Sequence, residues 1–160
     1  MMNPPPIRIR RGNSRDLTEM KLLFADTITH ICKKDYDDAQ IEAWRQGSEN
    51  EMRWQKIIET QYVLIAESHE KIIGFISLDQ GNYIDLLFVH KEHQHQGIAL
   101  QLYKLIEQEA MKQKQSLLTA DVSKTARSFF EKMGFRILRE QSIPLRGTEL
   151  TNYKMEKNLF

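Results

Sequence analysis

The sequence predicts a mixed α/β layer fold, with residues 1–160 forming a single domain. A chain of 160 residues encloses one sizeable core. Its apolar residues switch between a two-residue and a 3.6-residue period from segment to segment. Those segments run strand, two or three helices, three strands, helix, strand, helix, then two strands.

Ile7 and Ile9 alternate with Arg8 and Arg10, giving a first strand with one buried face. Before it, residues 1–6 end in Pro4, Pro5 and Pro6, which cannot donate to a sheet, and read as a flexible tail. In the next segment Asn13 or Ser14 is the N-cap, and Leu17, Met20, Phe24, Ile28 and Ile31 line one helical stripe. Residues 36–60 read as two shorter helices interrupted near Gly47 and Ser48, with Trp44 and Trp54 packing them onto the domain. "QYVLIAES" and "KIIGFISLD" are strands joined as a hairpin. "NYIDLLFVH" is a third, with Ile84, Leu86 and Phe88 on one face and Tyr83, Asp85, Leu87 and Val89 on the other. A helix starts near Gly97, where Ala99, Leu102, Tyr103, Ile106 and Ala110 recur at helical spacing. "SLLTADVS" is a strand, "KTARSFFEKM" a helix closed by Gly134, and "FRILREQSIP" and "ELTNYKMEK" the last two strands.

The formal net charge is +1, which gives no broad electrostatic footprint for nucleic acid or an anionic membrane. Cys32 is the single cysteine, so no intramolecular disulfide and no cysteine zinc knuckle can form, and it reads as a small buried hydrophobe. "MMNPPPIRIRR" lacks the apolar run of a signal peptide, and no stretch is long enough to span a bilayer. These features suit a soluble cytoplasmic protein.

Residues 88–102, "FVHKEHQHQGIALQL", ask for an explanation. His90, His93 and His95 have H-x2-H-x-H spacing, but a short loop with glutamine and lysine between them reads as solvated, so no metal is expected. A strand that ends, turns and starts a helix at a glycine is a better phosphate cradle. Free N–H groups and the helix dipole point outward there, Gly97 permits close approach, and Gln94 can brace the loop. On spacing alone, Gly97 merely ending a loop is an equal alternative. No P-loop or dinucleotide fingerprint is present.

Gln94-His95-Gln96-Gly97-Ile98-Ala99 resembles the Q/R-x-x-G-x-G/A motif of the GNAT (GCN5-related N-acetyltransferase) superfamily, with the strand "IDLLFV" just upstream. "ARSFFEKMGF" at 126–135 resembles a second family segment, A-x-x-F/L-Y-x-x-x-G-F. The element order fits along nearly the whole chain, and "YIDLLFV", "DYDDAQIEAW" and "RGTELTNYKM" are similar to the YafP-type branch. The resemblance implies a mostly antiparallel sheet with helices on both faces and a splayed central strand pair. It implies acetyl-CoA as cosubstrate, without a metal, and direct attack by an amine of a small molecule or peptide. The pyrophosphate would lie on Gln94, His95, Gln96, Gly97, Ile98, Ala99 and Leu100, and the pantetheine arm along the main chain of Leu87, Phe88 and Val89. Ser123 and Phe130 would touch CoA, Tyr36 and Trp44 would wall the acceptor, and two copies would pair as a homodimer.

Proton transfer is less defined. Asp85, in mid-strand, is a candidate base; a carboxylate bonded to a neighbouring strand or holding a substrate ammonium is the alternative. Asp121 has a similar claim, with His30 and His93 behind it. Two positions depart from the family pattern: Phe130 stands where a tyrosine commonly protonates the thiolate, and Ser123 where an asparagine is usual. Water or Tyr153 would then be the acid; a thiol ionising near about 8.5 leaves tolerably well without strong help. A non-catalytic acyl-CoA sensor is the competing expectation, and Asp37 or Asp38 could attract an amine.

Overall fold

The computed structural model describes residues 6–160; Pro4 and Pro5 of the expected tail lie outside the described residues, and Pro6 is exposed. Seven strands form one sheet: β1 (Arg8–Arg11), β2 (Tyr62–Ser68), β3 (Lys71–Asp79), β4 (Tyr83–Val89), β5 (Leu117–Ser123), β6 (Arg136–Leu145) and β7 (Thr148–Asn158). Their spatial order is β1-β2-β3-β4-β5-β7-β6, and the last strand therefore inserts between β5 and β6. Among the described residues only the β4–β5 pair is parallel.

Five helices cover the sheet: α1 (Leu17–Ile31), α2 (Asp38–Arg45), α3 (Glu51–Thr60), α4 (Ile98–Lys112) and α5 (Arg127–Lys132). Asn13 is the cap of the first segment: its side chain accepts from the Arg15 N–H, and the Asp16 carboxylate accepts from the Asn13 N–H. One core packs Met20, Phe24, Ile28, Trp54 and Ile57 against Ile65, Phe75 and Leu86. The other packs Ile98, Leu102, Tyr103, Ile106 and Phe130 against Ile76, Ile84, Val122 and Met155. Side chains such as Leu102 and Ile106, with no exposure left, each contribute roughly 1.5–3 kcal/mol. Gly74 lets α4 sit close, because a Cβ there would lie 3.1 Å from Ile98 Cγ2 and 3.2 Å from the Phe88 carbonyl.

The structure corrects the faces of β4. Ser77 pairs with Leu86 but Leu78 pairs with Ile84, so Asp85 is an extra residue, a β-bulge. The buried Ser77 hydroxyl accepts the Leu86 N–H at 3.1 Å and satisfies the disturbed ladder. Strict alternation fails across the bulge. Ile84 joins the α4 core, while Leu86 and Phe88 join the α1 and α3 side. Asp85 is not opposite Leu86, as alternation predicts, but reaches Arg53 of α3. The helix expected over 124–133 is shorter, since Ser123 to Ala126 form a turn before α5.

β4 and β5 part almost at once. Only Tyr83↔Thr119 and Ile84↔Ala120 pair, although each strand has seven residues. This is the expected splayed central pair.

Candidate active site

The opened gap leads to the start of α4. After Val89 the chain makes one 3-10 turn (Lys91–His93), extends at Gln94, and passes through positive φ at His95 (61°) and Gly97 (81°). Gly97 occupies the N-cap in the left-handed region, which suits glycine, and no side chain caps the helix. The first helical bond is Gln101 N–H to the Gly97 carbonyl at 3.1 Å. The N–H groups of Ile98, Ala99 and Leu100 therefore have no intrahelical acceptor, and nothing lies within 4 Å of where a Gly97 Cβ would stand. This helix start is open and electropositive. Gln94 braces it, its amide donating to the Val89 carbonyl at 2.6 Å.

The histidines do not all face water. His95 is exposed, but His90 and His93 are half-buried, and His93 Nδ1 is buried with no partner among the described residues. Their rings meet edge to face at 5.4 Å because the 3-10 turn folds them inward. Among the described residues no group of three metal-ligating side chains converges.

At the gap itself, the His90 N–H donates to Ile73 of β3 and the Leu86 N–H to Ser77 of β3. The period of two then turns the N–H groups of Leu87 and Val89 away from β3, into the gap. The Phe88 main chain faces β3, opposite Phe75, so this register does not put it beside a pantetheine arm; its ring lines the cavity instead.

Asp85 and Asp121 are the first residues past the last β4–β5 pair, and both line the cavity. Asp85 accepts from Arg53 Nη2 at 3.0 Å and Gln61 Nε2 at 2.8 Å. Asp121 accepts from the Tyr83 hydroxyl at 2.8 Å and Gln141 Nε2 at 2.6 Å. Burial first, then that bond and the charges of Asp121 and Asp85, hold the Tyr83 hydroxyl protonated, above the ordinary phenol range. Arg53, Gln61, Tyr83 and Gln141 are additions to the site that no local motif marks, because each meets its carboxylate across 20 to 38 residues of chain.

Beyond the gap, one cavity of about 940 Å³ joins cradle, carboxylates and an aromatic end. Tyr36 and Trp44 are both there, ring centroids 5.4 Å apart. The Tyr36 hydroxyl donates to the Thr151 carbonyl at 2.6 Å and accepts from the Lys124 N–H; burial pushes it up to about 12. Trp44 is half-buried rather than core. Cys32 is buried, and burial pushes its thiol up to about 11, so it is not an activated nucleophile. Ser123 and Phe130 line the cavity; the serine hydroxyl accepts from the Ala126 N–H, and Phe130 packs edge-on to Phe135. Tyr153 is not among the lining residues. Its ring lies under the Arg127 guanidinium at 4.8 Å, because β7 turns it to the α5 side. Asp37 caps α2 through the Gln40 N–H, His30 bonds within its own helix turn, and neither lines the cavity.

A bulged strand, a parallel neighbour that splays from it, and an uncapped helix N-terminus behind the gap coincide with a sequence match: residues 32–157 fit the acetyltransferase (GNAT) domain. The chain belongs to the GNAT family. It is 35% identical over 150 residues to the uncharacterized N-acetyltransferase YafP of Escherichia coli K12, covering 93% of this chain and 94% of that protein. The structure matches the crystal structure of a GCN5-related N-acetyltransferase from Rhodopseudomonas palustris with a TM-score of 0.91, at 27% identity, over 99% of this chain and 98% of the other. The PaiA N-acetyltransferase of Thermoplasma acidophilum, solved with coenzyme A, shares the fold at a TM-score of 0.79 and 21% identity, over 96% of this chain and 99% of that one. As a GNAT protein the chain is an acetyl-CoA-dependent N-acetyltransferase. Among the described residues no helix is long and apolar enough to cross a membrane.

Proposed function

We propose that the enzyme moves the acetyl group of acetyl-CoA onto an amine of a small molecule or peptide by direct attack, within one domain. The observation that carries this reading is the splay of β4 from β5 after two register pairs, opening straight onto the uncapped start of α4. The N–H groups of Ile98, Ala99 and Leu100, with Gln94, His95, Gln96 and Gly97 forming the loop, hold the pyrophosphate. Leu87 and Val89 offer main-chain groups to the pantetheine arm. One of these N–H groups polarises the thioester carbonyl as charge develops on its oxygen.

The neutral amine nitrogen attacks the carbonyl carbon, the C–S bond breaks, and one amine proton leaves to a base. Asp85 takes that role, with Asp121 across the fork accepting a hydrogen bond from the neutral amine before attack. The departing thiolate takes its proton from water, since Phe130 has none to give and Tyr153 lies outside the cavity. Tyr36 and Trp44 wall the acceptor. Cytoplasmic residence and pairing of two copies belong to the same proposal. The long edge strand β6, which leaves Leu138 and Ile143 exposed, supports the pairing.

Calorimetry with acetyl-CoA, followed by thiol release on adding amines, tests the reading. Micromolar binding and amine-dependent release are expected. Binding without release from any primary amine would leave only a sensor, and no binding at millimolar ligand would defeat the cradle.

A further inference from the structure

The acceptor end of the cavity has a distinct chemistry. Four rings run along one wall: Tyr36 to Trp44 edge to face at 5.4 Å, Trp44 to Phe88 tilted at 6.4 Å, and Phe88 to Phe24 edge to face at 4.8 Å. All four line the cavity, and Leu145 and Leu150 of the β6–β7 hairpin close the same end. Tyr36 presents its ring there rather than a hydroxyl, because that oxygen is already committed to Thr151 and Lys124.

The charges lining the cavity point the same way. Its carboxylates are Asp85 and Asp121, and both already hold two hydrogen bonds, Asp85 one of them to a guanidinium. Its permanent cations are Arg53, Lys132 and Arg146. Over the whole cavity three positive groups stand against two negative ones, with Arg53 and Asp85 already paired. A polycationic acceptor would bring extra ammonium groups against like charge, with no free carboxylate to receive them. A flat apolar body would instead bury its surface against rings that already prefer edge-to-face partners. Phe88 stands three residues beyond Asp85 on β4, on the order of 10 Å along a strand. An aryl ring, a short aliphatic linker and an amine, together with the contact distance at each end, cover that separation.

Resting on the acetyl transfer proposed above, we infer that the acceptor is a monoamine carried on an aromatic or similarly flat apolar body, with Trp44 as the residue that selects it. Trp44 is the ring best suited to this: it bridges Tyr36 to Phe88 and remains half-buried, whereas Phe24 and Tyr36 are buried.

The test measures kcat/KM by thiol release with 2-phenylethylamine, tryptamine and spermidine, alongside the acetyl-CoA Kd by calorimetry. The aryl amines are expected to exceed spermidine by at least roughly tenfold, the scale on which an apolar pocket discriminates. Trp44→Ala is expected to raise KM for the aryl amines about tenfold with the acetyl-CoA Kd unchanged, and Trp44→Phe to restore most of the loss. Spermidine used as well as or better than the aryl amines overturns the inference. So does tight acetyl-CoA binding with none of the three amines acetylated, or a Trp44→Ala effect equal for all three. Absence of acetyl-CoA binding strikes the underlying proposal instead, and the calorimetry identifies that case separately.

Discussion

At Asp85, the extra residue of the β4 bulge, the side chain sits where the two central strands part and takes hydrogen bonds from Arg53 and Gln61. A carboxylate fixed on both oxygens is a well-oriented one, aimed by its partners rather than by its own strand. The chemistry proposed above gives it the amine proton. Asp85→Asn keeps the shape and removes that capacity, so kcat is expected to fall about 100-fold, within the usual range for a positioned base. The acetyl-CoA Kd is expected to stay as it is, since the cradle lies beyond the far end of the strand. Steady-state kinetics and calorimetry on the same preparation check both halves, and undiminished kcat would remove Asp85 from the proton path.

The cradle belongs to an element, the N-terminus of α4, rather than to any single side chain. Its donors are main-chain groups, and Gly97 matters for what it leaves empty. Gly97→Glu places a carboxylate where the pyrophosphate is proposed to sit. Acetyl-CoA affinity is expected to drop at least about 100-fold, beyond the ~1–2 kcal/mol that left-handed backbone strain costs the fold. Calorimetry reads the loss and circular dichroism confirms the helix; unchanged affinity would refute the cradle. The element scale is also where the sequence is most legible. Among the described residues the apolar periods match the five helices and the seven strands, and a glycine after a strand marks the left-handed start of α4. The β4 bulge has no clear sequence mark, because "IDLLFV" is apolar on both faces apart from Asp85 and one inserted residue breaks no readable period in so short a run. A local trace is Ser77 within the otherwise apolar interior of β3, whose hydroxyl answers the displaced N–H. Arg53 and Tyr83 carry no local signal for another reason: only the folded sheet brings them to their carboxylates.

Across the whole molecule, Arg10 of β1 joins the sheet to the start of α1 through a two-pronged contact with Asp16, at 2.8 and 2.9 Å. Hydrogen bonds from Arg10, then from the Asn13 N–H, outweigh burial and hold the Asp16 carboxyl below its usual range. A carboxyl lowered on folding adds stability that is complete above its unfolded value, near about 4, and is lost as pH falls through the lower folded value. The melting temperature of the native chain is therefore expected to exceed that of Asp16→Asn above about pH 5, with the gap closing steadily towards pH 2. A gap independent of pH would mean that packing, not charge, is what Asp16 supplies.

The β6–β7 hairpin, whose Arg146 donates to the Ala43 carbonyl and whose Glu149 and Thr151 carbonyls accept from Gln40 and Tyr36, has one more bearing. A growing chain emerges from the ribosome first residue first. The cradle residues, 89–101, are made before β7, which must slide between β5 and β6 before the aromatic chamber gains its second wall. The chamber proposed to choose an acceptor, whose Tyr36 and Trp44 are made early, is thus closed only when β7 arrives, and a chain stopped short of that strand would be left with a half-built sheet and a chamber lacking one wall.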